Sequence, residues 1–336
     1  MALFNRELGI DLGTLFTRVA EGNEIVLEQP TVAAIVINEN KMVAWGQEAQ
    51  DMYGRVPETM EISRPLINGV IADYEVTENL LNSVLNQVRS GLRLFGGPKV
   101  MITVPYGVTS VESRAVHEAI LQAGSREAEL IPQPLASAIG VDLPINTPSG
   151  NMLICLGGGA TQAAVLAMYG IVSAETLRAG GMALDDAIVT YVRKKYGLII
   201  GQLTAEQVKI KIGAAVPQDE ALTIEIQGQD QVNGLPRPVS LTTDEIVDAL
   251  QDPLHDMIDT ARRVLEKTPP ELVSDIIDRG VALTGGGALL RGVDKLFTKE
   301  LGVPAYLVDN PSTCTAEGAA RGWNIYPMIR RNLPNP

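Results

Sequence analysis

Leu8-Gly9-Ile10-Asp11-Leu12-Gly13-Thr14 runs into Thr17-Arg18-Val19-Ala20. Half a chain later, Met152-Leu153-Ile154-Cys155-Leu156-Gly157-Gly158-Gly159-Ala160 runs into Thr161-Gln162-Ala163-Ala164-Val165-Leu166. Each stretch is an apolar run, a glycine turn and a second apolar run, the pattern of strand, tight turn, strand. Glycine leaves the backbone N–H groups of such a turn unshielded, and neighbouring N–H groups make a concavity for phosphate. Two of these turns predict a clamp that closes on one nucleotide from both sides. A third cluster, Thr284-Gly285-Gly286-Gly287-Ala288-Leu289-Leu290, follows Val281-Ala282-Leu283. It predicts a strand ending at a turn that opens a helix, whose positive end favours an anion or a closely approaching ligand. One glycine cluster alone is more often a structural turn. Matching strand context and half-chain spacing give the three together their weight.

Composition predicts a large body with an aliphatic interior. The 336 residues suggest about two domains, and 46% of them are hydrophobic but only 4% aromatic. A net charge of −13 argues against nucleic acid as a partner. It leaves open a membrane contact made by apolar insertion. Two cysteines, Cys155 and Cys314, are too few for a disulfide framework and fit a reducing cytosol. No apolar run approaches a membrane span and no secretory h-region opens the chain, so the expected location is the cytoplasm. His117 and His255 fall in helical segments with no second ligand nearby, which predicts no metal site there.

Strands are expected at 24–28, 31–37 and 42–45, then a helix carrying Val76, Leu80, Leu81, Val84, Leu85 and Val88 at helical spacing. Val100–Val104 is a strand stopped by Pro105. Thr109 with Glu112 forms a capping box for a helix to about residue 123. After the second turn come a strand at 171–179 and a helix at 182–196. Thr204 and Gln207 are expected to cap a further helix ending near Gly213. Strands at 220–227 and 237–241 precede a long helix capped by Thr242 and Glu245 and kinked at Pro253. The order is β-rich, then βαβα, twice. That is a duplicated α/β architecture with the glycine turns meeting at the cleft between halves.

These turns resemble the two phosphate motifs and the adenosine motif of the actin-like ATPase superfamily. Arg64-Pro65-Leu66, Gly69–Glu78, Gly234-Leu235-Pro236-Arg237-Pro238 and Leu283–Gly292 narrow the resemblance to the MreB family of bacterial actins. It runs from about residue 7 to about residue 323. The resemblance implies an actin-like α/β fold: duplicated βββαβα halves around a nucleotide cleft, with two smaller subdomains. The halves fall at 1–140, with a small subdomain at about 30–75, and at 141–326, with a small subdomain at about 182–242. A tail, 327–336, is expected to be disordered. The resemblance further implies ATP or ADP with Mg2+, self-assembly into paired protofilaments and attachment to the inner face of the cytoplasmic membrane. It also implies work with the cell-wall elongation machinery in setting rod shape.

Carried over residue by residue, the resemblance gives Asp11 the magnesium and phosphate role, through water. Gly13, Thr14, Leu15 and Phe16, with Gly157, Gly158 and Gly159, would hold the phosphates. Glu206, Lys209, Gly285, Gly286, Gly287 and Ala288 would hold the adenosine. Glu206 and Lys209 share a helix face, and their alternative reading is an ordinary surface ion pair. Gln133, before Pro134, takes the water-orienting position. The family usually has aspartate at Cys155, glutamate at Gln133 and Thr-Thr-Glu at Ala160-Thr161-Gln162. Up to three carboxylates are thus missing, and a thiol is a poor magnesium ligand. At most a weak ATPase is expected. Phe16 replaces a small polar residue and is expected to crowd the phosphates. Leu94 and Phe95, between Gly91 and Pro98, are candidates for membrane insertion, with Leu3 and Phe4 as a second contact. Two such side chains contribute ~3–5 kcal/mol before ordering costs, so binding would depend on filament avidity. The alternatives are a non-hydrolysing regulatory paralogue of MreB filaments and an actin-like filament that positions organelles or plasmids.

Overall fold

A computed structural model describes residues 6–88 and 97–334. Two five-stranded sheets dominate it, and they repeat one topology. In the first, Glu24–Pro30, Phe16–Glu21, Glu7–Leu12, Lys99–Val104 and Glu127–Pro132 lie side by side in that order. The second has Gly170–Leu177, Thr161–Ala167, Asn151–Leu156, Val281–Thr284 and Ala305–Leu307. In both, the middle strand runs antiparallel to the second and parallel to the fourth, and the fourth runs parallel to the fifth. The alternation expected of a duplicated α/β chain is therefore built twice. The central strands are buried on both faces: Asn151–Leu156 and Thr161–Ala167 have no exposed residue.

Two short helices lie between the sheets. Gln133–Gly140 follows the last strand of the first sheet, and Cys314–Gly322 follows the last strand of the second. Their backbones touch. A Cβ on Gly140 would overlap the Cys314 carbonyl, and one on Gly318 would overlap the Ala136 carbonyl. Gly9 is pressed in the same way against Ala316 and Ala320. Around this crossing, Met101, Ile131, Leu135, Leu153, Ala164 and Trp323 form a core shared by both sheets. The Trp323 indole donates to the Leu8 carbonyl at 3.2 Å.

Each half carries a further three-stranded sheet. One joins Ala33–Val36 to Lys41–Trp45 and Met60–Ser63; the other joins Thr223–Asp230 to Leu198–Ile199 and Pro236–Thr242. Of the three expected caps two form, at Thr109 with Glu112 and at Thr242 with Glu245. The helix Thr243–Glu266 continues through Pro253. Two expectations are corrected. The helix Gln202–Ile212 starts at Gly201, whose extended backbone lets the chain turn in early, so Thr204 lies inside it and caps nothing. The segment after residue 326 is ordered as far as 334, because Ile329 and Leu333 bury themselves in the shared core and Asn332 donates to the Tyr169 carbonyl at 3.0 Å.

Replacing Gly318 with alanine should destabilise the protein by about 3 kcal/mol, the upper end for overpacking, because backbone rather than a mobile side chain must give way. Gly201→Ala, whose added methyl meets open space, should shift stability by less than about 1 kcal/mol. Urea denaturation of the two variants, compared at equal m-value, checks the difference.

Candidate functional site

The two phosphate-type turns have the same internal geometry. Gly13 N–H donates to the Phe16 carbonyl at 3.1 Å, and Gly157 N–H donates to the Ala160 carbonyl at 2.9 Å. The turns face one another across the cleft and interlock. A Cβ on Gly158 would meet Leu15 at 2.5 Å, and one on Gly159 would overlap the Thr14 hydroxyl. Glycine is required here by proximity to the opposing turn. The N-terminus of helix Gly181–Tyr196 closes the second turn from behind, with Gly181 and Met182 N–H groups on the Gly157 and Gly158 carbonyls at 2.9 and 2.8 Å. Thr14 Oγ1 accepts from Gly69 N–H at 2.8 Å.

A cavity of about 410 Å³ opens beside the turns. Asp11, Gly13, Thr14, Leu15, Phe16, Gln133, Cys155, Gly157, Gly158, Gly159, Glu206, Lys209, Gly285, Gly286 and Gly287 all line it. Ala288 does not. It is packed into the core of the second half among Leu290, Val293 and Phe297, because the turn of 3-10 helix at Gly286–Leu289 points its methyl inward. Gly285 adopts φ +83°, a left-handed conformation that only glycine takes without strain, and its Cα rests on the Leu156 carbonyl. Gly286 alone in this cluster has open space around its Cα. Leu94, Phe95, Leu3 and Phe4 lie outside the described residues.

The polar floor is a chain of oriented groups. Burial raises the Asp11 pKa, against the opposing influence of Arg18 and of hydrogen bonds from Thr103 and Gln133. Asp11 Oδ1 accepts from Thr103 Oγ1 at 2.9 Å and from Gln133 Nε2 at 3.3 Å. Gln133 Oε1 accepts from Gln162 Nε2, and Gln162 Oε1 accepts from Tyr106 N–H at 2.7 Å. Cys155 is buried, and burial pushes its thiol up to about 11, so it is neutral at pH 7. Its sulfur contacts Ser137 Oγ at 3.3 Å. The floor thus holds one carboxylate, Asp11, with two amides and hydroxyls around it.

Glu206 and Lys209 do not pair with each other. Lys209 Nζ sits 2.8 Å from Asp185 Oδ1 and donates to the Gly181 carbonyl at 2.9 Å. Burial lifts Asp185 to about 6, although Lys209 opposes the shift. Glu206 is left facing the cavity. Sequence reasoning overlooked Arg18, Ile210, Leu289, Arg291 and Thr315, which also line it. For Arg18 a signal existed: it stands directly across the first hairpin from Asp11, so both side chains share a face.

The MreB/Mbl protein family model matches residues 5–329. Over 331 residues the chain is 42% identical to the cell shape-determining protein MreB of Escherichia coli (strain K12), covering 97% of this chain and 95% of that protein. Over 319 residues it is 43% identical to the cell shape-determining protein Mbl of Bacillus cereus, covering 94% and 95%. Among solved structures, MreB5 of Spiroplasma citri bound to ADP superposes with a TM-score of 0.91 at 30% identity, covering 98% of this chain and 99% of that one. The MamK double helical filament, at 21% identity and a TM-score of 0.79 over 94% of this chain and 98% of that one, shares the fold. With one family model spanning nearly its whole length and close relatives on both sides of that family, the chain belongs to the MreB/Mbl family.

Proposed function

We propose that this protein is a cytoskeletal filament former that binds an adenine nucleotide in the cavity beside the two turns, and that it helps determine rod cell shape from the inner face of the cytoplasmic membrane. Its partners would be further copies of itself, the membrane and the cell-wall elongation machinery. The observation that carries the reading is the convergence of both hairpin turns, the Gly285–Gly287 cluster and Asp11 on one cavity. Relatives named for cell-shape determination, and MreB5 structures bound to ADP and to AMPPNP, support it. Gly13, Thr14, Leu15, Phe16 and Gly157–Gly159 would take the phosphates; Glu206, Lys209 and Gly285–Gly287 would take the adenosine.

Magnesium would enter with the nucleotide. Asp11 is buried, and its Oδ1 accepts from Thr103 and Gln133, with no hydrogen bond on Oδ2 among the described residues. That suits an ion that keeps most of its waters and leans on phosphate oxygens. The neutral thiol of Cys155 offers it nothing. Magnesium would supply charge neutralisation on the phosphates; the protein's own groups orient and enclose.

Hydrolysis would be slow or absent. A water aligned for attack needs an acceptor, and the Gln133 amide, held between Gln162 and Asp11, has one carbonyl lone pair left to offer it. An amide can orient water but cannot take its proton. Phosphate release should therefore be well below that of relatives carrying carboxylates at these positions. Cys155→Asp combined with Gln133→Glu should raise it by roughly 100-fold, the lower end of what a positioned general base contributes. A wild-type rate equal to such relatives', or a double variant that stays slow while still binding ATP, would sink this assignment.

Calorimetry should detect ATP and ADP binding. No heat at millimolar nucleotide would remove the nucleotide reading and leave assembly independent of it.

Membrane attachment is assigned to Leu94 and Phe95. Leu94→Ser with Phe95→Ser should abolish co-sedimentation with liposomes while filaments still form in solution and the melting temperature holds. A marked fall in melting temperature would instead mean that both side chains belong to the core. Apolar attachment should persist near 1 M salt, where the Debye length is about 3 Å.

A further inference from the structure

We propose that Arg18 is a polyphosphate-binding cation of the nucleotide cavity, a role that rests on the nucleotide reading above and deepens it. Arg18 lies on strand Phe16–Glu21, directly across one hairpin from Asp11 and directly across the next from Glu28. Directly opposed residues share a face, so Asp11, Arg18 and Glu28 form a row pointing the same way. Arg18 lines the cavity beside the first turn, and its side chain is only 14% exposed.

Its guanidinium is held on two sides. Nε donates to Glu28 Oε2 at 3.0 Å, and the Phe16 ring lies beneath, its centroid 5.0 Å from the guanidinium carbon. Among the described residues, neither terminal nitrogen of Arg18 has a protein hydrogen-bond partner. The fork that a guanidinium offers to a phosphate is therefore oriented but unused. Of the other cavity cations, Lys209 is committed to Asp185 and the Gly181 carbonyl, and the exposed Arg291 already spends one terminal nitrogen on the Lys211 carbonyl. Arg18 is thus the cation left to meet an anion at the two turns, where Asp11 is the sole buried carboxylate on the cavity wall.

This also gives Phe16 a role. Beside the crowding expected of it at the phosphates, it supplies the face on which the guanidinium rests, a contact of about 0.5–1 kcal/mol at a partly exposed site. A cation held this way suits di- and triphosphates over a bare nucleoside. It carries out at the phosphates part of the neutralisation that this acid-poor site would otherwise leave to magnesium.

The test is calorimetry of the full chain with ATP, ADP, adenosine and inorganic tripolyphosphate, on wild type and on Arg18→Gln, Arg18→Lys and Glu28→Gln. Arg18→Gln should weaken ATP and ADP at least ~10-fold and leave adenosine within about twofold, with Arg18→Lys recovering part of the loss. Glu28→Gln removes a competing negative charge and should tighten ATP severalfold. Equal losses for ATP and adenosine in Arg18→Gln, or none for either, would overturn the proposal. If Arg18→Gln melts well below wild type, Glu28→Gln decides: affinity for ATP that fails to rise overturns it. Wild type that binds tripolyphosphate in an Arg18-dependent way but no adenine compound would sink the nucleotide reading and keep Arg18. Wild type that binds none of the four would sink both.

Discussion

Everything in this molecule depends on two helix backbones lying in contact. Gln133–Gly140 and Cys314–Gly322 cross where Gly140 and Gly318 have no side chain, and each helix reaches over to cover the other half's sheet. That closeness brings the two sheets near enough for their hairpin turns to interlock, Gly158 against Leu15 and Gly159 against Thr14. Larger residues at the crossing would wedge the sheets apart and open the cavity at its floor. Backbones in contact can roll on one another but cannot separate cheaply, so any relative motion of the halves must pivot there. Three hydrogen bonds that join the halves would feel such a rotation: Gln162 Nε2 to Gln133, Tyr106 N–H to Gln162 and Thr176 Oγ1 to the Tyr106 carbonyl.

The bonds at Tyr106 also dictate the chemistry of the floor. A backbone N–H can only donate, so the Gln162 carbonyl must face Tyr106 and its NH2 must face Gln133. The Gln133 carbonyl must then accept, which leaves its NH2 for Asp11. One fixed donor thus sets the orientation of two amides in sequence, ending on a carboxylate that can only accept. An acidic residue at 162 would break this order, since it could not donate to Gln133. The glutamines are therefore a consistent pair.

The duplicated fold was legible because its signal is doubled: two glycine turns between apolar strands, with two threonine–glutamate capping boxes whose bonds are local in sequence. Most of the cavity wall was legible for the same reason, since glycines at a ligand turn leave few alternative explanations. What stayed hidden depends on partners distant in sequence. Nothing local tells that Lys209 finds Asp185 instead of Glu206, or that Ala288 turns into the core. The polar look of 327–334 concealed Ile329 and Leu333, whose burial needs a groove built by residues such as Leu135 and Leu166. Thr204 followed a pattern that fits many helix starts, and Gly201 took that place because it can be extended without a cap.

Arg18 escaped notice for a different reason. In the sequence it is one arginine in a strand, and its meaning comes from what stands opposite. Reading the hairpin register places it beside Asp11, and reading the side chains shows Phe16 and Glu28 holding it in place. The residues that look like losses at this site then acquire a common logic. Amides and a neutral thiol, which neither repel phosphate nor take a proton from water, stand on the wall with a cation fixed beside them. Binding a polyphosphate needs attraction and enclosure; cleaving it needs a base and an acidic metal shell. Among the groups on this cavity wall, Arg18 and the glycine turns answer to the first set of requirements, while the amides of Gln133 and Gln162 and the neutral thiol of Cys155 do not answer to the second.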